Sequence, residues 1–353
     1  MKIAQVTPLY EAVPPKLYGG TERVVAWLCD ALVDAGHEVT LFASADAETK
    51  ATLVPVRDQA IRLDPAELKS DLAAHLGMLQ EVRSRMADFD VLHFHVDMIH
   101  FPFFEDCAER TLTTLHGRLD LKDLPGVYRR WRQFPLASIS MDQRKPLRNA
   151  NWLGCVHHGL PESLCRFTAH PTGDYLAFLG RISPEKRVDR AIAIARRVGL
   201  PLKVAAKIDT ADKAYYEREI EPLLAHAHVE FVGEINDAQK PEFLGNARAL
   251  LFPIDWPEPF GLVMIEAMAC GTPVVAWNCG SVPEVLDDHV TGRIVDNEDD
   301  AVAATREVIG YDRATVRATY ERRFTARAMA DRYVQLYDRL AAGRETDFGL
   351  RLA

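Results

Sequence analysis

Short apolar runs alternate with amphipathic helical stretches along the whole chain, and this alternation restricts the fold more than any other feature. Strand then helix, repeated, is the pattern of parallel sheets covered by helices on both faces, an α/β class. Residues 3–7 read as a first strand; 21–35 predict a helix with Val24, Val25, Leu28 and Leu32 on one face, closed by Gly36; 38–43 give the next strand. The order restarts after Pro171-Thr172-Gly173, a turn or linker sequence. There 175–179 predict a strand, and Ser183-Pro184-Glu185 a helix start with Ser183 as cap and proline in first position. The apolar face of that helix is Val188, Ala191, Ile192, Ala195 and Val198, ended by Gly199 and Pro201. Further strands are expected at 202–206, 229–232, 249–252 and 273–276. A last helix over 325–340 carries Met329, Tyr333, Leu336, Tyr337 and Leu340 on one face, with a frayed tail after Ala341. Two domains are therefore expected, 1–170 and 171–324, and 353 residues suffice for two cores.

Composition then excludes several classes. With 42 basic and 51 acidic residues the net charge is −9, so no nucleic-acid partner is expected, and any anionic ligand must meet a local cluster of positive groups. No apolar run approaches the roughly 18 residues of a membrane span. Met1-Lys2 leads directly into the first strand without an apolar signal core, from which a cytoplasmic location is expected. The six cysteines show no Cys-x-x-Cys spacing, against a zinc ribbon or disulfide framework. Nine of the twelve histidines precede residue 171, which directs attention to the first half for chemistry.

The densest motif is Pro257-Glu258-Pro259-Phe260-Gly261-Leu262-Val263-Met264-Ile265-Glu266, which leaves a strand and turns into a helix near Gly261. The first N–H groups of such a helix form an anion site, and glycine lets a ligand approach the backbone around Phe260, Gly261 and Leu262. Glu258 precedes the helix and Glu266 lies more than a turn inside it, so two carboxylates frame the anion site. A solvent-facing glutamate pair is the plainer reading, but the Pro, Phe and Gly around them argue against it. Arg181 follows the first strand of the second domain and Lys186 is expected in the first turn of the next helix. Both are placed over the C-terminal edge of the sheet, where open α/β sheets bind ligands. Lys207-Ile208-Asp209 ends another strand, either lining the same site or forming a solvated turn. Gly19-Gly20 opens the first helix without the Gly-x-Gly-x-x-Gly spacing of a dinucleotide site.

These stretches resemble glycosyltransferase family 4, whose E-x7-E signature matches Glu258 and Glu266. The resemblance extends to Gly280-Ser281-Val282-Pro283-Glu284, to Gly180-Arg181 with Glu185-Lys186, and to Gly19-Gly20, in the family's order over nearly the whole chain. It implies the GT-B fold, two facing Rossmann-like domains with the C-terminal helix returning onto the first, and retaining transfer of a hexosyl unit from a nucleoside-diphosphate sugar. It further implies that Arg181 and Lys186 hold the diphosphate, Glu266 the ribose and Glu258 the sugar hydroxyls. The Gly19-Gly20 loop and His116, within Thr113-Thr114-Leu115-His116-Gly117, complete the site from the first domain. No cofactor and no metal are expected; the partners are the nucleotide-sugar donor and an acceptor that is a saccharide, a lipid-linked molecule or a small molecule.

His93, His95, Asp97 and His100 invite a metal site, but their spacing fits packed or substrate-touching histidines better. The basic and aromatic residues of 128–134 suggest peripheral membrane contact, a reading that the acidic balance does not favour. An oxidoreductase or epimerase would need the absent glycine fingerprint. A non-catalytic nucleotide-sugar-binding homologue would dispense with the charged residues, all of which are present.

Overall fold

The computed structural model describes residues 1–16 and 19–351, with side chains through Ala342. Seven strands form a first parallel sheet: β1 (Lys2–Val6), β2 (Glu38–Ser44), β3 (Thr52–Arg57), β4 (Val91–Phe94), β5 (Thr111–Thr114), β6 (Leu136–Ser138) and β7 (Trp152–Cys155). Their order is β3-β2-β1-β4-β5-β6-β7. Six more form a second parallel sheet: β8 (Leu176–Arg181), β9 (Leu202–Lys207), β10 (Val229–Gly233), β11 (Ala249–Phe252), β12 (Val274–Trp277) and β13 (Gly292–Val295), ordered β10-β9-β8-β11-β12-β13. In each sheet the chain order reverses once, between β1 and β4 and between β8 and β11. Strands buried on both faces need apolar or internally bonded residues throughout, and β4, β5, β11 and β12 are buried at every position.

The helix Val188–Val198 buries Val188, Ala191, Ile192 and Ala195 as expected, together with Ile194, and Gly199 closes it at φ 88°. Its start differs from the expectation. Residues Pro184–Lys186 make one 3-10 turn, Arg187 takes a left-handed φ of 54°, and the regular helix begins only at Val188. The cause is tertiary. Glu185 C=O accepts the Asp255 N–H (2.8 Å), and the Arg187 guanidinium binds Asp255 (2.9 Å), so the turn is drawn onto the segment after β11. Ser183 accordingly makes no capping bond.

The chain divides into a unit of Met1–Gly159 with the C-terminal helix, and a unit of Leu160–Thr325. Residues 160–170, expected with the first domain, are bonded to the second: Leu160 N–H to Phe324 C=O (3.0 Å), Thr168 N–H to Cys270 C=O (3.1 Å) and Arg313 to Thr168 C=O (2.7 Å). The C-terminal helix runs Ala326–Arg351, so the backbone stays helical where a frayed tail was expected. It belongs to the first unit, where Tyr333 and Tyr337 are fully buried and Leu336 lies over Gly154, whose missing side chain leaves the room.

Candidate functional site

In the second unit the crevice lies where β8 and β11 part company, the position at which open α/β sheets take ligands. Arg181 is the last residue of β8, in register with Lys207 of β9. Its guanidinium donates to Glu185 (2.9 Å) and Asp209 (3.3 Å), and Lys207 pairs with Asp209 (3.0 Å). Lys186 forms an ion pair with Glu258, both side chains being largely shielded (16% and 13% exposed), and its ammonium sits 5.1 Å over the Trp256 ring. The Trp256 indole N–H donates to the same Glu258 oxygen (2.9 Å). Each basic side chain thus has a carboxylate partner of the protein, which an entering anion can displace or share.

Glu258 is fixed from behind by the Gly280-Ser281 pair. Ser281 N–H donates to Glu258 C=O (3.0 Å) and Ser281 Oγ to Phe260 C=O (2.8 Å). Gly280 has φ 59°, and a Cβ there would lie 2.4 Å from the Glu258 nitrogen. Gly280→Ala therefore meets both a steric and a conformational barrier. It is expected to lower stability by about 2 kcal/mol or more and to impair donor binding, read by urea unfolding and donor titration; unchanged values for both would contradict this bracing role.

Gly261 caps the helix Leu262–Ala269 at φ 78°, a backbone that only glycine adopts without strain, and the N–H groups of the first helical turn lie at this end. The Phe260 side chain is buried, so only its backbone can serve a ligand. Glu266 occupies a different setting. It is 3% exposed and accepts from Lys240 (2.8 Å), which also pairs with Asp237 (3.0 Å). Its pairing with Lys240 is separate from the pairing of Lys186 with Glu258.

Sequence reasoning missed Lys240, Trp256 and Asp255. Asp255 and Trp256 directly precede the Pro257-Glu258-Pro259 signal and were readable from proximity; Lys240 carries no local mark, and tertiary packing alone places it.

In the first unit the chain order reverses between β1 and β4, where Gln5 is in register with His93; His95 directly follows β4, and His116 lies two residues beyond β5. His116 Nε2 meets His95 Nδ1 (2.8 Å), His95 Nε2 meets Gln5 Oε1 (2.8 Å), and the His116 ring stacks on His158 (5.3 Å). Burial pushes the His116 imidazole down to about 3 and holds His93 and His95 well below the usual histidine range, so all three are neutral at physiological pH. Gly19, buried, caps the helix Gly20–Asp34, and Gly20 is exposed at its first position.

The residues of the metal reading do not converge. His93 bonds Tyr337 (2.8 Å) and Thr114 (2.7 Å), whereas His100 stacks on Phe94 (3.9 Å), whose side chain faces the other side of β4, and bonds Thr113 (3.1 Å). Asp97 is exposed in a turn at φ 51°. The basic-aromatic stretch also separates by burial. Tyr128 and Phe134 are in the core and Trp131 packs against it, leaving Arg129, Arg130, Arg132 and Gln133 on the surface.

Comparison with known proteins bears on the family and the fold. Residues 18–172 match the Glycosyltransferase Family 4 model and 166–312 the model of Glycosyl transferases group 1. The phosphatidyl-myo-inositol mannosyltransferase of Mycolicibacterium smegmatis is 29% identical, the match covering 93% of this chain and 89% of that protein. The structure of AviGT4, a glycosyltransferase involved in avilamycin A biosynthesis, superimposes with a TM-score of 0.74 at 25% identity, covering 97% of this chain and 98% of that one. Anabaena HepE, solved in complex with UDP and glucose, shares the fold with a TM-score of 0.73 at 16% identity, over 95% of this chain and 98% of its own. Both comparisons are with proteins of two Rossmann-like units, the GT-B fold.

Proposed function

The chain is a glycosyltransferase of family 4, and from that premise we propose that it transfers a hexosyl unit from a nucleoside-diphosphate sugar to an acceptor hydroxyl with retention of configuration. The observation that carries the reading is the Lys186–Glu258 pair at the β8/β11 switch point, beside Arg181 and the N-terminus of the helix Leu262–Ala269. Lys186, Arg181 and the backbone N–H groups at 260–262 hold the diphosphate and stabilise its charge as it leaves. Glu258, released from Lys186, accepts hydrogen bonds from the transferred sugar. Glu266 binds the donor ribose once it exchanges part of its bond to Lys240. His116 and the Gly19-Gly20 loop serve the sugar and the acceptor.

Two fixed cations and a helix terminus supply the positive charge that a divalent metal would otherwise bring, so the reaction proceeds without one. EDTA is expected to leave turnover unchanged; loss with EDTA and recovery with Mg²⁺ would overturn this point. The HepE complex supports a nucleotide-sugar donor by its fold alone. The mycobacterial relative makes inositol-containing acceptors the first to try. No helix among the described residues is long and apolar enough to cross a membrane.

The test is a thermal-shift screen against UDP-, GDP- and ADP-sugars. A ligand at about 100 times its Kd adds about 2.7 kcal/mol to the folded state, a rise of several degrees in Tm. The stabilising donor is then assayed for nucleoside diphosphate release and for the anomeric configuration of the product. Binding without release under every acceptor would favour the non-catalytic binding protein instead, and an inverted product would refute retention.

A further inference from the structure

The first unit contains a continuous file of hydrogen bonds that joins its C-terminal helix to His116. Gln5 Nε2 donates to the Tyr337 hydroxyl (3.1 Å), which faces His93 Nδ1 (2.8 Å); His93 Nε2 faces Thr114 Oγ1 (2.7 Å), and Thr114 faces the Tyr333 hydroxyl (3.0 Å). In the other direction Gln5 Oε1 faces His95 Nε2, and His95 Nδ1 faces His116 Nε2. Donors and acceptors in such a file are not independent. The Gln5 carbonyl oxygen can only accept, so neutral His95 carries its proton on Nε2 and keeps a lone pair on Nδ1. His116 must then donate from Nε2, and its own Nδ1 is left unprotonated. That Nδ1 is buried and has no partner among the described residues. Turning the Gln5 amide over would reverse the whole file and place an N–H on His116 Nδ1, which would be a buried donor with nothing to receive it. An orphaned N–H is the costlier of the two defects.

We propose that Tyr337, acting through Gln5 and His95, fixes the proton of His116 on Nε2, so that His116 Nδ1 is held as the hydrogen-bond acceptor for a hydroxyl of the carbohydrate substrate. Tyr337, Gln5 and His95 are positioning residues here, and this role rests on the glycosyltransferase reading of His116. A buried acceptor without a partner is satisfied when a sugar O–H reaches it. Fixing the tautomer beforehand spares the substrate the reversal of several hydrogen bonds. The C-terminal helix thereby acquires a chemical function in addition to its packing.

The experiment is long-range ¹H–¹⁵N correlation NMR on the full chain labelled with ¹⁵N-histidine, with His116→Gln identifying the His116 signals. The wild-type protein is expected to show His116 unprotonated at Nδ1 and protonated at Nε2. Tyr337→Phe should give a mixture of the two His116 tautomers and, with the donor found by thermal shift, lower kcat about tenfold with donor KM changed less than about twofold. Tyr333→Phe, on the same buried helix but at the far end of the file, should leave the His116 signals where they are in the wild type. Wild-type His116 protonated at Nδ1 would overturn the proposal, as would identical His116 signals in the two tyrosine variants. If the tautomers behave as stated while no donor is turned over, the proton arrangement stands and the glycosyltransferase reading fails instead.

Discussion

Lys186→Ala is expected to reduce glycosyl transfer by at least 10²–10³-fold while the protein remains folded. Lys186 stands in a shielded setting against the Trp256 and Phe252 rings, where a charge–phosphate contact is stronger than in open water. A charge-assisted hydrogen bond contributes about 1.5–3 kcal/mol, and the diphosphate gains negative charge as its bond to the sugar breaks, so the loss is larger in the transition state than in the ground state. The substitution has a second consequence. It leaves Glu258 with the Trp256 indole as its remaining named hydrogen-bond partner in this loop, a carboxylate facing the incoming phosphates. Lys186→Ala should therefore raise donor KM as well as lower kcat. Lys186→Ala/Glu258→Gln separates the two effects. The double variant should recover donor binding relative to Lys186→Ala without recovering turnover, measured by titration and by nucleoside diphosphate release. Near wild-type turnover of Lys186→Ala would remove the diphosphate assignment.

Mild acid is expected to unfold the first unit by about pH 5, well before carboxylates titrate. Five histidines of that unit, His93, His95, His100, His116 and His158, are pushed down by burial, His100 and His116 to about 3. Their pKa values in the unfolded chain lie near 6.5. Below that pH the unfolded state binds protons that the folded state does not, so stability falls as pH falls, over a window from about 6.5 down to about 3. Each histidine contributes a slope of about 1.4 kcal/mol per pH unit in this window, and five together about 7 kcal/mol per pH unit. A domain holds only about 5–15 kcal/mol in total. Urea unfolding at pH 7.5, 6.5 and 5.5 measures the slope directly. His100→Gln, which removes a histidine stacked on Phe94 away from His95 and His116, should reduce the slope by about one-fifth. A midpoint independent of pH over this range would mean that the histidines are hydrated or paired in solution.

The alternating pattern was legible because buried parallel strands need unbroken apolar runs and surface helices need a stripe every three to four residues. The strand 249–252 and the faces of Val188–Val198 and of the C-terminal helix follow from that rule alone. The glycines at 261 and 280 were equally legible as motif positions, although only the structure shows why glycine stands at 280: the backbone of Glu258 occupies the space of its side chain. Where local and long-range demands competed, the sequence reading failed. Ser183-Pro184-Glu185 has a helix-start composition, yet Asp255, 70 positions from Glu185 along the chain, captures the turn and delays the helix to Val188. Residues 160–170 were assigned by a Pro-Thr-Gly signal, whereas their hydrogen bonds attach them to the second unit.

Local sequence thus determined the fold class and the identities of the charged residues, because periodicity and motif spacing act over a few residues. Tertiary structure decided their partners: Lys186 with Glu258, Glu266 with Lys240, and His116 with a file of bonds that ends on the C-terminal helix. Charge pairing and proton position are properties of distance in space, which residue spacing along the chain does not encode.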